Sequence, residues 1–356
     1  MIRFDEKLQN FVEGAQTKSD GAPFLVTVRL LKRCTAKCLM CDFWKENSKS
    51  MPLEGAMHIV EECARRGVKE ICFTGGEPTS YEHFFEVAQM VKSEGMDYSF
   101  ITNGSLLTRE FVEKIMKFPP ARIFVSIDSP KSKVHDYMRG VEGLFERAIF
   151  GLEEFNRYAF RPKIIVNCVI SNNNYLDIPK LIEYGGERIF DEINLMQIKG
   201  MPNWSLTKEQ ILEYNTSIAP QILSAAEERG VLIRSGSPYI FGFSEKEIIQ
   251  STSGIYSKEF YKKNKCSITQ SMLFVEVNGD VFPCNNTPYY GESFLCGNIF
   301  EQTIPQILSS KKFAKVRENF CGGKLCIGCD PINREINESN ALRSSLPRLS
   351  CKGVLV

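Results

Sequence analysis

The sequence predicts an α/β fold: a partial (β/α)6 barrel of TIM type followed by a small cysteine-rich C-terminal domain. Three observations predict it. From about residue 24 to 200, short β-rich runs alternate with amphipathic helical stretches, the order expected of parallel βα units. Polar or glycine residues follow nearly every run, and ten of the thirteen cysteines gather near the start and in about the last quarter of the chain.

The strands are expected at 24 to 30, 70 to 74, 98 to 102, 122 to 127, 163 to 170 and 192 to 198. Ile59, Val60, Cys63 and Ala64 carry helical spacing ahead of Gly67, a residue type that commonly stops a helix. Gly75 and Gly76, Asn103 and Gly104, Asp128 and Ser129, and Ser171 and Asn172 follow successive strands. Loops at the strand C-termini build the site of a parallel barrel, so these residues should share one mouth with Cys34, Cys38 and Cys41, which follow the first strand. Beyond Trp204 a helical stretch at 206 to 229 leads into an aperiodic serine- and tyrosine-rich segment. A compact unit begins at Cys266, with Asn278-Gly279 as a hairpin signal and a helix at about 303 to 319. The expected divisions are an N-terminal extension (1–23), the barrel (24–202), a helical connector (203–262), the cysteine-rich domain (263–331) and a tail (332–356).

Composition narrows the function classes. Lysine and arginine number 44 against 43 acidic residues. With no long run of either sign, nothing points to a nucleic-acid or polyanionic membrane partner. No stretch approaches the roughly 20 apolar residues that span a bilayer, and the N-terminus lacks the apolar core of an export signal. The expectation is a soluble cytoplasmic protein whose thiols stay reduced, which favours metal or cluster ligation over disulfides. Cys63, Cys72 and Cys168 lie in apolar runs and read as small core hydrophobes.

Cys34-x3-Cys38-x2-Cys41 places three thiolates on one loop. Three ligands serve three irons of a cubane and leave the fourth open to a small molecule, whereas a purely electron-transferring cluster normally has four protein ligands. A zinc site lacking its fourth ligand, or incidental thiols, are the other readings.

The run CTAKCLMC followed by DFW, with Gly75-Gly76-Glu77-Pro78 after the second strand, resembles the signature of the radical S-adenosylmethionine (radical SAM) superfamily. The resemblance implies a [4Fe-4S] cluster on Cys34, Cys38 and Cys41 and S-adenosylmethionine on its open iron. It assigns the methionyl amino group to the Gly75–Pro78 turn and adenine to Phe43. It assigns the ribose or methionyl carboxylate to Asn103 and Ser126, and that carboxylate to Arg139. Reductive cleavage would yield a 5′-deoxyadenosyl radical that removes a substrate hydrogen. An electron donor such as flavodoxin or ferredoxin is implied.

Cys266, Cys284, Cys326 and Cys329, with Gly297-Asn298-Ile299 between, resemble the Twitch or SPASM extension of the same superfamily. By spacing alone, four thiolates suit tetrahedral zinc equally well. The longer cysteine run breaks at Glu335, which implies one auxiliary [4Fe-4S] cluster on those four, with Cys296, Cys321 and Cys351 as spares. Such a cluster, fully ligated, would carry electrons.

Of the three histidines, His58 and His83 read as structural, and His135 as a residue that could face the site. The expected activity is oxidation or epimerisation of a small molecule such as a sugar or cyclitol, in the manner of the Twitch-bearing 2-deoxy-scyllo-inosamine dehydrogenase. A maturase of ribosomally made peptides and a non-enzymatic metal-binding protein are the alternatives. About 24 residues precede the first strand, less than a peptide-leader domain needs, which favours the small molecule.

Overall fold

The structure is a computed structural model that describes residues 23–45, 49–186, 189–198, 200–253, 268 and 272–321, the side chains of 289, 290 and 318–321 excepted. Six parallel strands form the expected barrel wall: β1 (Leu25–Leu31), β2 (Glu70–Gly75), β3 (Asp97–Thr102), β4 (Arg122–Ser126), β5 (Lys163–Ile170) and β6 (Glu192–Gln197). Each pairs with its neighbour in sequence, the result of right-handed crossovers through helices on the outside.

Alternation along each strand separates two environments. In β4, Ile123 and Val125 enter the main core, whereas Arg122, Phe124 and Ser126 are only half-buried. The helices present matching apolar faces: α1 (Leu53–Arg66) buries Ala56, Ile59, Val60 and Cys63 and ends at Gly67, as its spacing predicts. At the strand N-termini, Arg122 pairs with Glu70, and Glu192 with both Lys163 and Arg234. Charge thus fills the end opposite the polar loops.

The sheet runs beyond the six strands that periodicity shows. β7 (Leu232–Ile233) joins β6, while β8 (Met272–Val275), β9 (Asp280–Phe282) and β10 (Gly297–Asn298) extend the other edge from β1, giving ten strands among the described residues. The region read as a helical connector therefore contributes a strand, and the C-terminal unit continues the barrel sheet. The hairpin at Asn278-Gly279 is present, closed by the Gly279 amide on Glu276 O at 2.9 Å and the Glu276 amide on Asp280 O at 2.9 Å.

Two expected helices are interrupted. The stretch at 206 to 229 is α-helical over Lys208–Glu213, widens to a π turn at Tyr214–Ile218 and resumes at Ala219–Arg229. Pro220 lacks an amide to donate to the preceding turn, which explains a local change of hydrogen-bond period. The helix expected at 303 to 319 is split at extended Ser310 into Ile304–Ser309 and Lys311–Cys321. This unit docks on the barrel through His58 Nε2 with Ile299 O (3.1 Å), the Ile304 amide on Glu62 (3.2 Å) and an Arg29–Glu276 ion pair (2.6 Å). No helix of the described residues is long and apolar enough to cross a membrane.

Candidate active site

The loop after β1 carries Cys34, Cys38 and Cys41 over an apolar patch of Ala36, Leu144, Met40 and Val141. Its position is set from two sides. On one side the Lys37 amide donates to Arg139 O and the Leu39 amide to Met138 O, both at 3.0 Å. These acceptors lie at the end of helix α2 (Ser132–Arg139), where Gly140 adopts φ +67°, and a Cβ at Gly140 would overlap Lys37 O. Glycine there satisfies both the left-handed backbone and the close approach.

On the other side the Gly76 amide donates to Leu31 O (2.9 Å) and the Glu77 amide to Arg33 O (3.0 Å). A Cβ on Gly76 would overlap Arg33 O. The glycines of the GGEP turn thus bring the second strand's loop against the chain leading into Cys34.

Glu77 is fully buried. One carboxylate oxygen accepts from the Thr79 amide (3.2 Å), the Thr79 hydroxyl (2.6 Å) and the Thr102 hydroxyl (2.7 Å), and the other from the Asn103 amide (2.7 Å). Burial raises its pKa against the pull of those donors. Asn103, so held, turns its side-chain Nδ2 to Thr35 Oγ1 at 3.0 Å and to Cys34 Sγ at 3.7 Å.

Arg139 is buried and forked onto Asp128, Nε to one oxygen at 2.7 Å and Nη2 to the other at 2.8 Å. Its remaining nitrogen, Nη1, stands 4.0 Å from Cys38 Sγ. Phe43 opens a short 3-10 turn and lies 4.3 Å from the Arg29 guanidinium. Ser126, at the end of β4, is level with Asn167 on β5.

The chemistry of this donor set fits an iron–sulfur cluster. Burial pushes the Cys34 thiol up to about 11 and raises that of Cys41, so cationic iron is what would hold them as thiolates. N–H groups stand ready beside two sulfurs: the Ala36 amide is 3.4 Å from Cys34 Sγ, joined by Asn103 there and by Arg139 at Cys38. Among the described residues no three His, Cys, Asp or Glu side chains close on a single metal ion.

Of the second cysteine set, Cys284 is described and buried beside Ile268 and Met272. Cys266, Cys326, Cys329 and Cys351 lie outside the described residues. Cys296 belongs to the main core, its thiol donating to Phe294 O at 3.4 Å and pushed up to about 12 by burial. Cys63, Cys72 and Cys168 are buried as expected.

His135 does not face the site. It is buried, accepts the Asp128 amide through Nδ1 at 3.2 Å, and its pKa is lowered to about 4 by burial. The supporting residues that sequence reasoning passed over are Thr79 on Glu77 and Arg29 against Glu276. Thr102 and Asp128, legible as polar residues at strand ends, stand behind Glu77 and Arg139.

A loop of three cysteines braced by the ends of a parallel barrel's strands defines a cluster-binding α/β enzyme. The radical SAM superfamily model matches residues 28–185, and the SPASM iron–sulfur cluster-binding domain model matches 266–330. The chain belongs to the radical SAM superfamily and carries a C-terminal SPASM-type domain. Its cofactors are accordingly S-adenosylmethionine, a [4Fe-4S] cluster and further iron–sulfur ligation in the C-terminal domain. It is 27% identical to the AdoMet-dependent heme synthase of Methanosarcina barkeri over 87% of this chain and 91% of that protein. It is 28% identical to the mycofactocin maturase MftC of Mycolicibacterium smegmatis over 44% of this chain and 40% of that protein. Among solved structures it shares the fold of anSMEcpe with bound AdoMet and Cp18Cys peptide: TM-score 0.65, 19% identity, 91% of this chain and 99% of that one.

Proposed function

We propose that this chain is a radical SAM oxidoreductase that acts on a small molecule, with one auxiliary [4Fe-4S] cluster serving as an electron carrier. The carrying observation is the single loop of Cys34, Cys38 and Cys41, bonded through Gly76 and Glu77 on one side and Met138 and Arg139 on the other. A [4Fe-4S] cluster held there by Cys34, Cys38 and Cys41 would supply the electron for reductive cleavage of S-adenosylmethionine, and with it the hydrogen-abstracting chemistry of the superfamily.

The chain's own residues bind and orient. The Gly75–Pro78 turn receives the methionyl amino group through its backbone, while the Glu77 carboxylate, occupied by four donors, supports the turn from behind. Phe43 would take adenine, and Ser126 and Asn103 the ribose or carboxylate. Cys266, Cys284, Cys326 and Cys329 hold the auxiliary cluster. The electron donor is a small redox protein of the flavodoxin or ferredoxin kind, and the setting is cytoplasmic.

Support for a small molecule comes from the relative matched over nearly its full length, which is named for making heme. This widens the sugar or cyclitol expectation to tetrapyrroles. A peptide substrate is the second reading, favoured by the match to a maturase over part of its length.

Anaerobically reconstituted protein, given dithionite and S-adenosylmethionine, is expected to release 5′-deoxyadenosine. Product that persists after replacing Cys34, Cys38 and Cys41 with alanine would sink the assignment. Iron should approach about eight per chain for two cubanes; stoichiometric zinc would sink the auxiliary cluster. Stimulated 5′-deoxyadenosine release with Fe-coproporphyrin III, a cyclitol or a precursor peptide separates the substrate classes.

A further inference from the structure

We propose that Arg139 is a positioning residue for the radical-site cluster: clamped by Asp128, it presents Nη1 to Cys38 Sγ and raises that cluster's reduction potential. This rests on the reading of Cys34, Cys38 and Cys41 as cluster ligands.

The clamp is rigid in its described contacts. Nε and Nη2 take the two oxygens of Asp128 at 2.7 and 2.8 Å, the parallel geometry that fixes a guanidinium plane. Asp128 is itself tied on several sides: one oxygen accepts the Val169 amide (3.0 Å), its backbone amide donates to His135 Nδ1 (3.2 Å), and its carbonyl accepts Asn174 Nδ2 (2.7 Å). The carboxylate is completely buried and cannot swing without breaking these bonds. One guanidinium nitrogen is thereby left facing the loop, 4.0 Å from Cys38 Sγ.

The same residue sets the loop's backbone. Arg139 O accepts the Lys37 amide at 3.0 Å, one residue before Cys38. Backbone and side chain of one residue thus register the sulfur and place a positive N–H against it. The Asp128 carboxylate is bonded in addition to β5, through the Val169 amide. Cluster reduction adds negative charge to the sulfurs, and N–H donors beside them stabilise the reduced state and raise the potential. An arginine serving only the cofactor's carboxylate would not change the cluster in the cofactor's absence.

The test is an EPR-monitored redox titration of the reconstituted holoprotein without S-adenosylmethionine. The relevant signal is identified by its change when the cofactor is later added. Arg139→Gln is expected to lower the reduced-to-oxidised ratio at fixed poise about tenfold, or about 59 mV for a one-electron couple. Arg139→Lys, which keeps charge but loses the fork, should fall in between. Unchanged potentials in both variants, with loss confined to cofactor affinity, overturn the proposal. Should neither variant retain iron, wild-type protein labelled with 15N in its arginine guanidinium groups decides. Hyperfine coupling to the reduced cluster supports the contact, and its absence overturns it. A wild-type protein with no signal that responds to the cofactor sinks the ligand reading and this inference together.

Discussion

Glu77 and Asn103 are joined by a 2.7 Å hydrogen bond from the Asn103 amide to the Glu77 carboxylate, across the tops of β2 and β3. The bond makes the glutamate of the GGEP turn a brace for the residue that reaches Cys34. Glu77→Gln replaces an acceptor oxygen with a donor and leaves at least one buried partner unsatisfied, at a cost of about 1–3 kcal/mol. The melting temperature is expected to fall by a few degrees and 5′-deoxyadenosine yield by more than tenfold. A variant with both unchanged would show that the brace is dispensable.

Gly140→Ala tests the other support of the cysteine loop. The substitution puts a Cβ into the Lys37 carbonyl and into a left-handed backbone at φ +67°, where alanine is strained. Iron bound at the first cluster should drop while the C-terminal unit keeps its own, so total iron should fall toward half. Full iron content would mean that the loop absorbs the methyl group.

The buried histidine gives a pH dependence of known sign. His135 has a folded pKa of about 4, below the ordinary 6.5 of an exposed ring. Above pH 6.5 the ring is neutral in both folded and unfolded states. Between 6.5 and 4 the unfolded chain takes up a proton that the folded chain refuses, so stability present above 6.5 is lost on acidification, by up to about 3 kcal/mol. His135→Asn keeps an acceptor for the Asp128 amide without titrating. Between pH 7 and 4.5 the wild-type melting temperature should therefore fall further than the variant's; parallel slopes would contradict the assignment.

Arg29 and Glu276, 247 residues apart, form a part-buried pair at 2.6 Å that joins β1 to the end of β8. Arg29→Met strands the Glu276 charge and is expected to cost about 3–5 kcal/mol. Adding Glu276→Gln should recover part of that loss, because the neutral amide is cheaper to bury. Thermal melts of the two single variants and the double variant measure the coupling.

The cysteine triplet, the GGEP turn and the six alternating strands were legible in the sequence because each is a local pattern: ligand spacing, turn chemistry, and a period of two beside one of 3.6. The π turn at Tyr214–Ile218 was not, since a helical apolar pattern survives a one-residue change in hydrogen-bond period. The C-terminal edge of the sheet was equally hidden. β7 is only two residues long, and the pairing of β8 with β1 joins segments some 250 residues apart.

By itself, then, the sequence determined which atoms could ligate iron and which turns would lie at the barrel's mouth, for those depend on residue type and spacing. Only the tertiary structure decided what stands behind them. Glu77 braces Asn103, Asp128 aims Arg139, and His135 supports Asp128. The physical reason is burial. A carboxylate or guanidinium removed from water must find its partners wherever the chain's packing supplies them, and no spacing rule names those partners in advance.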